Sequence, residues 1–286
     1  MLAAQARRMA IEIRGLPTLP EVVNQIVEAS GSDTSSAAEL GALIEVDHAV
    51  TCRVLRLANS AFYRRSREVS SVRQAVVLLG FNTVRLLALS ISAFEAVATV
   101  NQSVIEMQDF WLHSFGAAAC VRELDSSLGL TDGGLRFTAA LLHDVGKCVL
   151  AASDGASYGE AIALAASSHR SLASVEAEKF GVDHGQVAAW LCERWNFPEG
   201  LVEILRNLPN HATYCGPWRR DVGVVALADH VSRAAGFGNC GDPAESEPDM
   251  TLAARVGIDE PTLRALQCRL VASREELGRS LFEWKA

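Results

Sequence analysis

The stretch Phe137-Thr138-Ala139-Ala140-Leu141-Leu142-His143-Asp144-Val145-Gly146-Lys147 decides the reading of this chain. Its first six residues are small or apolar, and Ala and Leu lose little entropy in a helix. An imidazole and a carboxylate then stand side by side at the end of that run. Adjacent residues lie about 100° apart around a helix, so the two groups can flank one metal without sharing a stripe. One nitrogen and one anionic oxygen suit a borderline or hard divalent ion. Lys147 lies four residues beyond His143, on the same helical side, and can present a cation to a phosphate oxygen. A plainer reading makes His143 and Asp144 the fraying end of a buried helix.

Helical signals extend outward in both directions. On the N-terminal side, Thr18-Leu19-Pro20-Glu21 and Ser36-Ala37-Ala38-Glu39 read as capping boxes. Asp47 caps a helix through Val50, Val54 and Ala58. Ser71 opens another helix, which Gly80 closes in the left-handed conformation. The segment Thr83–Val100, begun by Asn82, is apolar on nearly every face and should lie buried between neighbours. On the C-terminal side, helices are expected at Val104–Leu128 and from Thr131 or Asp132 through Leu150. Further helices are expected at Gly159–Ser168, Ser174–Phe180, Asp183–Trp195, Pro198–Asn207, Asp221–Ala235 and Glu260–Trp284. No stretch shows the period-two alternation of a hairpin. Gly236–Asp249 is turn-rich and acidic, and reads as a mobile loop with almost nothing to bury.

Composition fits this picture. The chain has 286 residues, 49% hydrophobic and 21% charged, which is a globular balance with a sizeable core. The net charge of −8 argues against general nucleic-acid binding, though not against a local basic pocket. The seven Cys are scattered, with no C-x-x-C pair, and read as buried thiols of a reducing compartment. Leu86–Val100 is too short for a membrane span. These features lead to the expectation of a cytoplasmic protein.

Other candidate ligands lie on other helices. His113 follows Phe110-Trp111-Leu112, where a core histidine is the plain alternative. His184 stands in a first turn after Asp183, and His211 in a Pro-Asn loop. Asp229 ends the apolar run Val224-Val225-Ala226-Leu227-Ala228 and needs a metal, a His or an Arg such as Arg233 beside it. His48, His169 and His230 lack such context and are read as structural.

In order, His113, His143-Asp144 and Asp229 resemble the H…HD…D signature of the HD-domain superfamily, all-helical metal-dependent phosphohydrolases. The match to HDOD domains, HD-related output domains of bacterial signalling, is closer. It is carried by Leu16-Pro17-Thr18-Leu19-Pro20, Ile44–Thr51, Arg53–Tyr63 and Ser71–Gly80. Glu178–His184 and Trp195-Asn196-Phe197-Pro198 continue it, and the resemblance spans about Leu16 to Leu281. It implies an all-α, multi-helical HD-like bundle, with residues 1–100 as an N-terminal helical half and 101–286 as the HD-like half.

The resemblance also implies a divalent metal (Fe, Mn or Mg), in binuclear members held by His113, His143, Asp144, His184, His211 and Asp229. Asp144 is then the bridge, and Asp144 with Lys147 the catalytic pair. Departures are visible: Asn210-His211 stands where HD-GYP phosphodiesterases have a His pair, and no Gly-Tyr-Pro triplet occurs. The expected function is bacterial signal transduction through protein partners or ligand sensing, with a nucleotide or phosphate as the ligand. The alternative is a phosphohydrolase or phosphodiesterase acting on a nucleotide or cyclic nucleotide.

Overall fold

The computed structural model describes residues 37–59, 69–98, 104–131, 134–238, 240–242 and 247–282. The capping box at Thr18–Glu21, Ser36 and the stretch 60–63 lie outside the described residues. Within them the fold is all-α, with no strand.

Among the described residues four helices come first: α1 (Ala37–Glu45), α2 (His48–Asn59), α3 (Val72–Leu79) and α4 (Phe81–Ala98). Asp47 caps α2 by accepting from Val50 N at 3.1 Å. Ser71 caps α3 by accepting from Gln74 N. Gly80 ends α3 at φ 89, ψ 152 rather than in the left-handed helical region, because α4 restarts at once from Phe81. That start precedes the expected Asn82 cap.

The remaining helices are α5 (Met107–Leu128), α6 (Leu135–Leu142), α7 (Val145–Ser153), α8 (Gly155–Ser168), α9 (Leu172–Phe180), α10 (His184–Arg194) and α11 (Glu199–Asn207). A 3-10 turn at Leu208–Asn210 leads to α12 (Arg219–Ala234), α13 (Met250–Val256) and α14 (Glu260–Phe282). The α13 turn was not expected. The single helix expected through Leu150 is two: it breaks at His143–Asp144, where Asp144 takes φ −96, ψ 0 and Lys147 N donates to its carbonyl. Among the described residues, no helix is long and apolar enough to cross a membrane.

The centre of the bundle is α6. Arg136 through Leu142 are all buried, and α4, α5, α11 and α12 pack around them. At its N-terminal end the buried Arg136 donates to Asp125 of α5 (2.7 Å) and Asp221 of α12 (2.5 Å). These charge-assisted bonds fix the rotation of α6, and with it the direction in which its C-terminal His143 points. Helix α4 buries Val84, Leu87, Ala88, Leu89 and Ile91 between α2 and α3 on one side and α6 and α7 on the other. One apolar core therefore runs from Leu40 to Leu270.

The Gly236–Asp249 expectation needs correction in its first part. Phe237 has no exposed surface and Cys240 is buried. Phe237 and Cys240 are packed against the bundle because an aromatic ring and a thiol outweigh the turn-forming glycines around them.

Candidate metal centre

The break between α6 and α7 turns His143 and Asp144 toward the same space. His143 Nε2 lies 3.2 Å from His113 Nε2 of α5 and 3.4 Å from Asp144 Oδ1. His113 Nε2 is 3.7 Å from Asp144 Oδ2. Donor atoms of these three buried residues all lie within 4.8 Å of one another. Asp229 Oδ1, from α12, reaches the same two imidazoles at 3.1 Å (His113) and 3.6 Å (His143). His184 enters from the first residue of α10, with Nε2 at 3.8 Å from Asp144 Oδ1. Asp144 thus turns one oxygen to His143 and His184 and the other to His113.

This approach requires Gly146. A Cβ there would sit 2.0 Å from the carbonyl oxygen of His184. Only glycine allows the start of α10 to press against the α6–α7 break.

Ring orientation decides whether the donors suit a metal. His143 Nδ1 lies 2.7 Å from the Ala140 carbonyl, which assigns it the proton and leaves the Nε2 lone pair facing the cluster. His184 Nδ1 lies 2.7 Å from Glu176 Oε2, which also accepts the His184 backbone N–H at 2.8 Å. Glu176 Oε1 accepts from Tyr158 Oη at 2.6 Å. Carboxylates and carbonyls behind histidines are the usual supports of metal-binding imidazoles. On this chemistry His143, His184 and Asp144 fit a divalent ion. His113 fits less completely, since its buried Nδ1 has no hydrogen-bond partner.

His211 lies near enough to Asp229 for that charge to act on it, but its ring is engaged elsewhere. Its Nδ1 bonds the Leu208 carbonyl at 3.1 Å, and its ring faces His230 edge-on at 5.9 Å. Burial lowers its pKa, with the neighbouring charges of His230 and Arg255 adding to the effect.

The chain's own cations already neutralise the carboxylates. Lys147 Nζ contacts Asp144 Oδ2 at 2.9 Å and also Asp242 of the 236–242 segment. Lys147 has no exposed surface, so the phosphate-facing cation expected from the sequence is committed to two carboxylates. Arg233, one turn beyond Asp229, grips both of its oxygens at 3.2 and 2.9 Å. The metal and arginine alternatives for Asp229 therefore coincide in one carboxylate.

Proton affinities follow from these pairings. Burial alone would push Asp144 toward its neutral form, but His143 and Lys147 outweigh it and hold the carboxyl well below its usual range. Asp229 is likewise held low, chiefly by Arg233, against its burial. Burial pulls His184 down, but Glu176 overcomes this and pushes it up to about 9. His143 is raised by Asp144 and Asp229 against the same penalty.

Sequence reasoning missed Glu176, Tyr158 and Asp242. Glu176 had a signal: Leu172, Glu176 and Phe180 share one stripe of α9, so an acid falls on an apolar face. Asp242 had none, because it sits among glycines in a turn-rich stretch.

Comparison with known proteins places this chain in a family. A solved HDOD domain protein of unknown function from Geobacter sulfurreducens superposes with a TM-score of 0.79 at 24% identity, covering 98% of this chain and 99% of the other. A Shewanella amazonensis SB2B protein with a provisional phosphohydrolase name gives 0.74 at 24% identity, covering 98% and 97%. A Marinobacter aquaeolei VT8 protein, provisionally named for signal transduction, gives 0.73 at 23% over 93% of this chain and 60% of its own. These likenesses show the fold.

A curated relative from Treponema pallidum (strain Nichols), itself uncharacterized, is 24% identical over 245 residues, 80% of this chain. This chain spans less than half of that relative's length, 44%. The family model of the HDOD domain matches residues 16–211, so the chain belongs to the HDOD family.

Proposed function

We propose that this chain is a bacterial regulatory module that passes a signal to a protein partner, with weak or no turnover at its histidine–aspartate cluster. In this reading the cluster senses a metal or a phosphate-bearing ligand. One observation carries it: Lys147 and Arg233, the cations beside the cluster, are both locked onto the chain's own aspartates. A hydrolase needs such groups free to hold the charge that develops on a transferred phosphoryl group.

His143, Asp144 and His184 are the residues that would hold a metal, with His113 and Asp229 beside them. Their nitrogen and oxygen donors suit Fe or Mn, and the hard carboxylate admits Mg. When bound, such an ion supplies Lewis-acid polarisation of a phosphoryl oxygen. Glu176 keeps a proton on His184 Nδ1, and Ala140 keeps one on His143 Nδ1, so both rings turn Nε2 inward, where a bound metal would take the place of the second proton. The same inward-facing nitrogens favour the second reading, a metal-dependent phosphohydrolase of nucleotides or cyclic nucleotides.

The test is Asp144→Asn in a strain deleted for the native copy. Altered rescue by the folded variant, with no metal-dependent turnover in the unmodified protein, supports signalling through sensing at the cluster. Failed rescue together with loss of a metal-dependent turnover in the purified protein overturns it and establishes the hydrolase.

A further inference from the structure

The segment after α12 ends on the cluster, and its path is fixed by packing. Phe237 is fully buried. Gly238 takes φ 64 and passes so close to α5 that a Cβ would lie 2.1 Å from the Asp109 carbonyl oxygen. The Cys240 thiol faces the Phe110 carbonyl at 4.0 Å. These contacts hold Phe237, Gly238 and Cys240 against the bundle beside the start of α5, and the Asp242 carboxylate meets Lys147 Nζ. Arg233 adds a second positive charge close enough to act on Asp242. The Asp242 and Asp229 side chains keep 17% and 19% of their surface exposed, whereas Lys147 keeps none. Solvent therefore reaches this edge of the cluster at the aspartates, and Asp242 stands between it and the lysine.

Asp144 already compensates the buried Lys147 at 2.9 Å. Asp242 is a second anion on the same ammonium, and its departure would not leave an unpaired buried charge. Carboxylate and phosphate oxygens make the same kind of charge-assisted bond to an ammonium. We propose that Asp242 is an intramolecular plug: its carboxylate holds the place on Lys147 that a phosphate oxygen of a ligand takes, and binding requires Asp242 to withdraw. The proposal rests on the reading above that the cluster takes a phosphate-bearing ligand. A tethered competitor acts at an effective concentration in the millimolar range, so it sets a threshold below which free phosphate does not displace it.

The experiment titrates inorganic phosphate calorimetrically into the full chain stripped of metal with EDTA. Asp242→Asn should bind phosphate at least about tenfold tighter than the unmodified protein, the competing anion being gone. Adding Lys147→Met should remove that gain. Equal affinities in the unmodified and Asp242→Asn proteins, or a gain that survives loss of Lys147, overturn the plug. No phosphate binding in any of the proteins overturns the underlying ligand reading along with it. If Asp242→Asn does not fold, hydrogen exchange of the unmodified chain decides: phosphate should speed exchange at Phe237, Gly238 and Gly241, and unchanged rates overturn the proposal. Metal content of the proteins is measured before the EDTA treatment, so a failed metal reading appears as absent metal with the phosphate gain intact.

Discussion

Glu176→Gln tests how the cluster is supported. Three donors meet on this carboxylate: the His184 ring, the His184 backbone N–H and the Tyr158 hydroxyl. Glutamine keeps the shape. Its carbonyl can still accept from His184, and Tyr158 can turn to accept from its amide, since a phenol serves both roles. What is lost is the negative charge.

In the metal-free protein that charge pushes His184 to about 9, against an ordinary value of 6.5. A raised folded pKa contributes stability that is complete below the unfolded value and is lost as pH rises through the folded one. At about 1.36 kcal/mol per pH unit, the interval amounts to at most ~3 kcal/mol. Urea unfolding of the EDTA-treated protein should therefore weaken between about pH 6.5 and 9. Glu176→Gln should flatten that decline and be about 1–3 kcal/mol less stable near pH 6, where the lost bond is to a charged imidazolium. Equal slopes in the two proteins refute the argument. The same substitution should weaken Mn²⁺ affinity by about 10–100-fold, since the ring loses its orienting carboxylate.

Three further outcomes are expected. Gly146→Ala forces a Cβ to within 2.0 Å of the His184 carbonyl. It should cost about 1–3 kcal/mol in denaturant unfolding and loosen His184 from the cluster. Arg233→Gln frees both Asp229 oxygens and should tighten Mn²⁺ binding, read by calorimetry; unchanged affinity means that Asp229 is no ligand. His211→Ala should leave the metal content unchanged by elemental analysis, because that ring bonds Leu208 and faces His230.

Much of the fold was legible because its signals are local. Asp47, Ser71 and Asp183 cap the helices they precede, and Gly129 and Gly181 end theirs in the left-handed conformation. The cluster was legible from ligand-type residues in order along successive helices. The α6–α7 break was not, because Phe137–Leu150 is apolar enough to read as one helix. Its cause is tertiary: α10 presses on Gly146 and the Asp144 carboxylate answers Lys147. Asp242 was hidden for a related reason. A turn-rich stretch carries no period, so only the assembled bundle shows that Phe237 and Cys240 anchor it. Arg233 was anticipated as a partner of Asp229, but that this carboxylate would also face His113 and His143 depended on the packing of α12 against α5.

The central claim is that the cluster is assembled but held by the chain's own cations, with weak or no turnover of substrate. The most direct measurement is the initial rate of the unmodified protein, reconstituted with Mn²⁺ and its metal content counted, on phosphodiester and phosphomonoester nucleotides beside Asp144→Asn. The account predicts bound metal in the unmodified protein and a rate no greater than that of the variant. A Mn²⁺-dependent rate well above it, abolished by Asp144→Asn, contradicts the account.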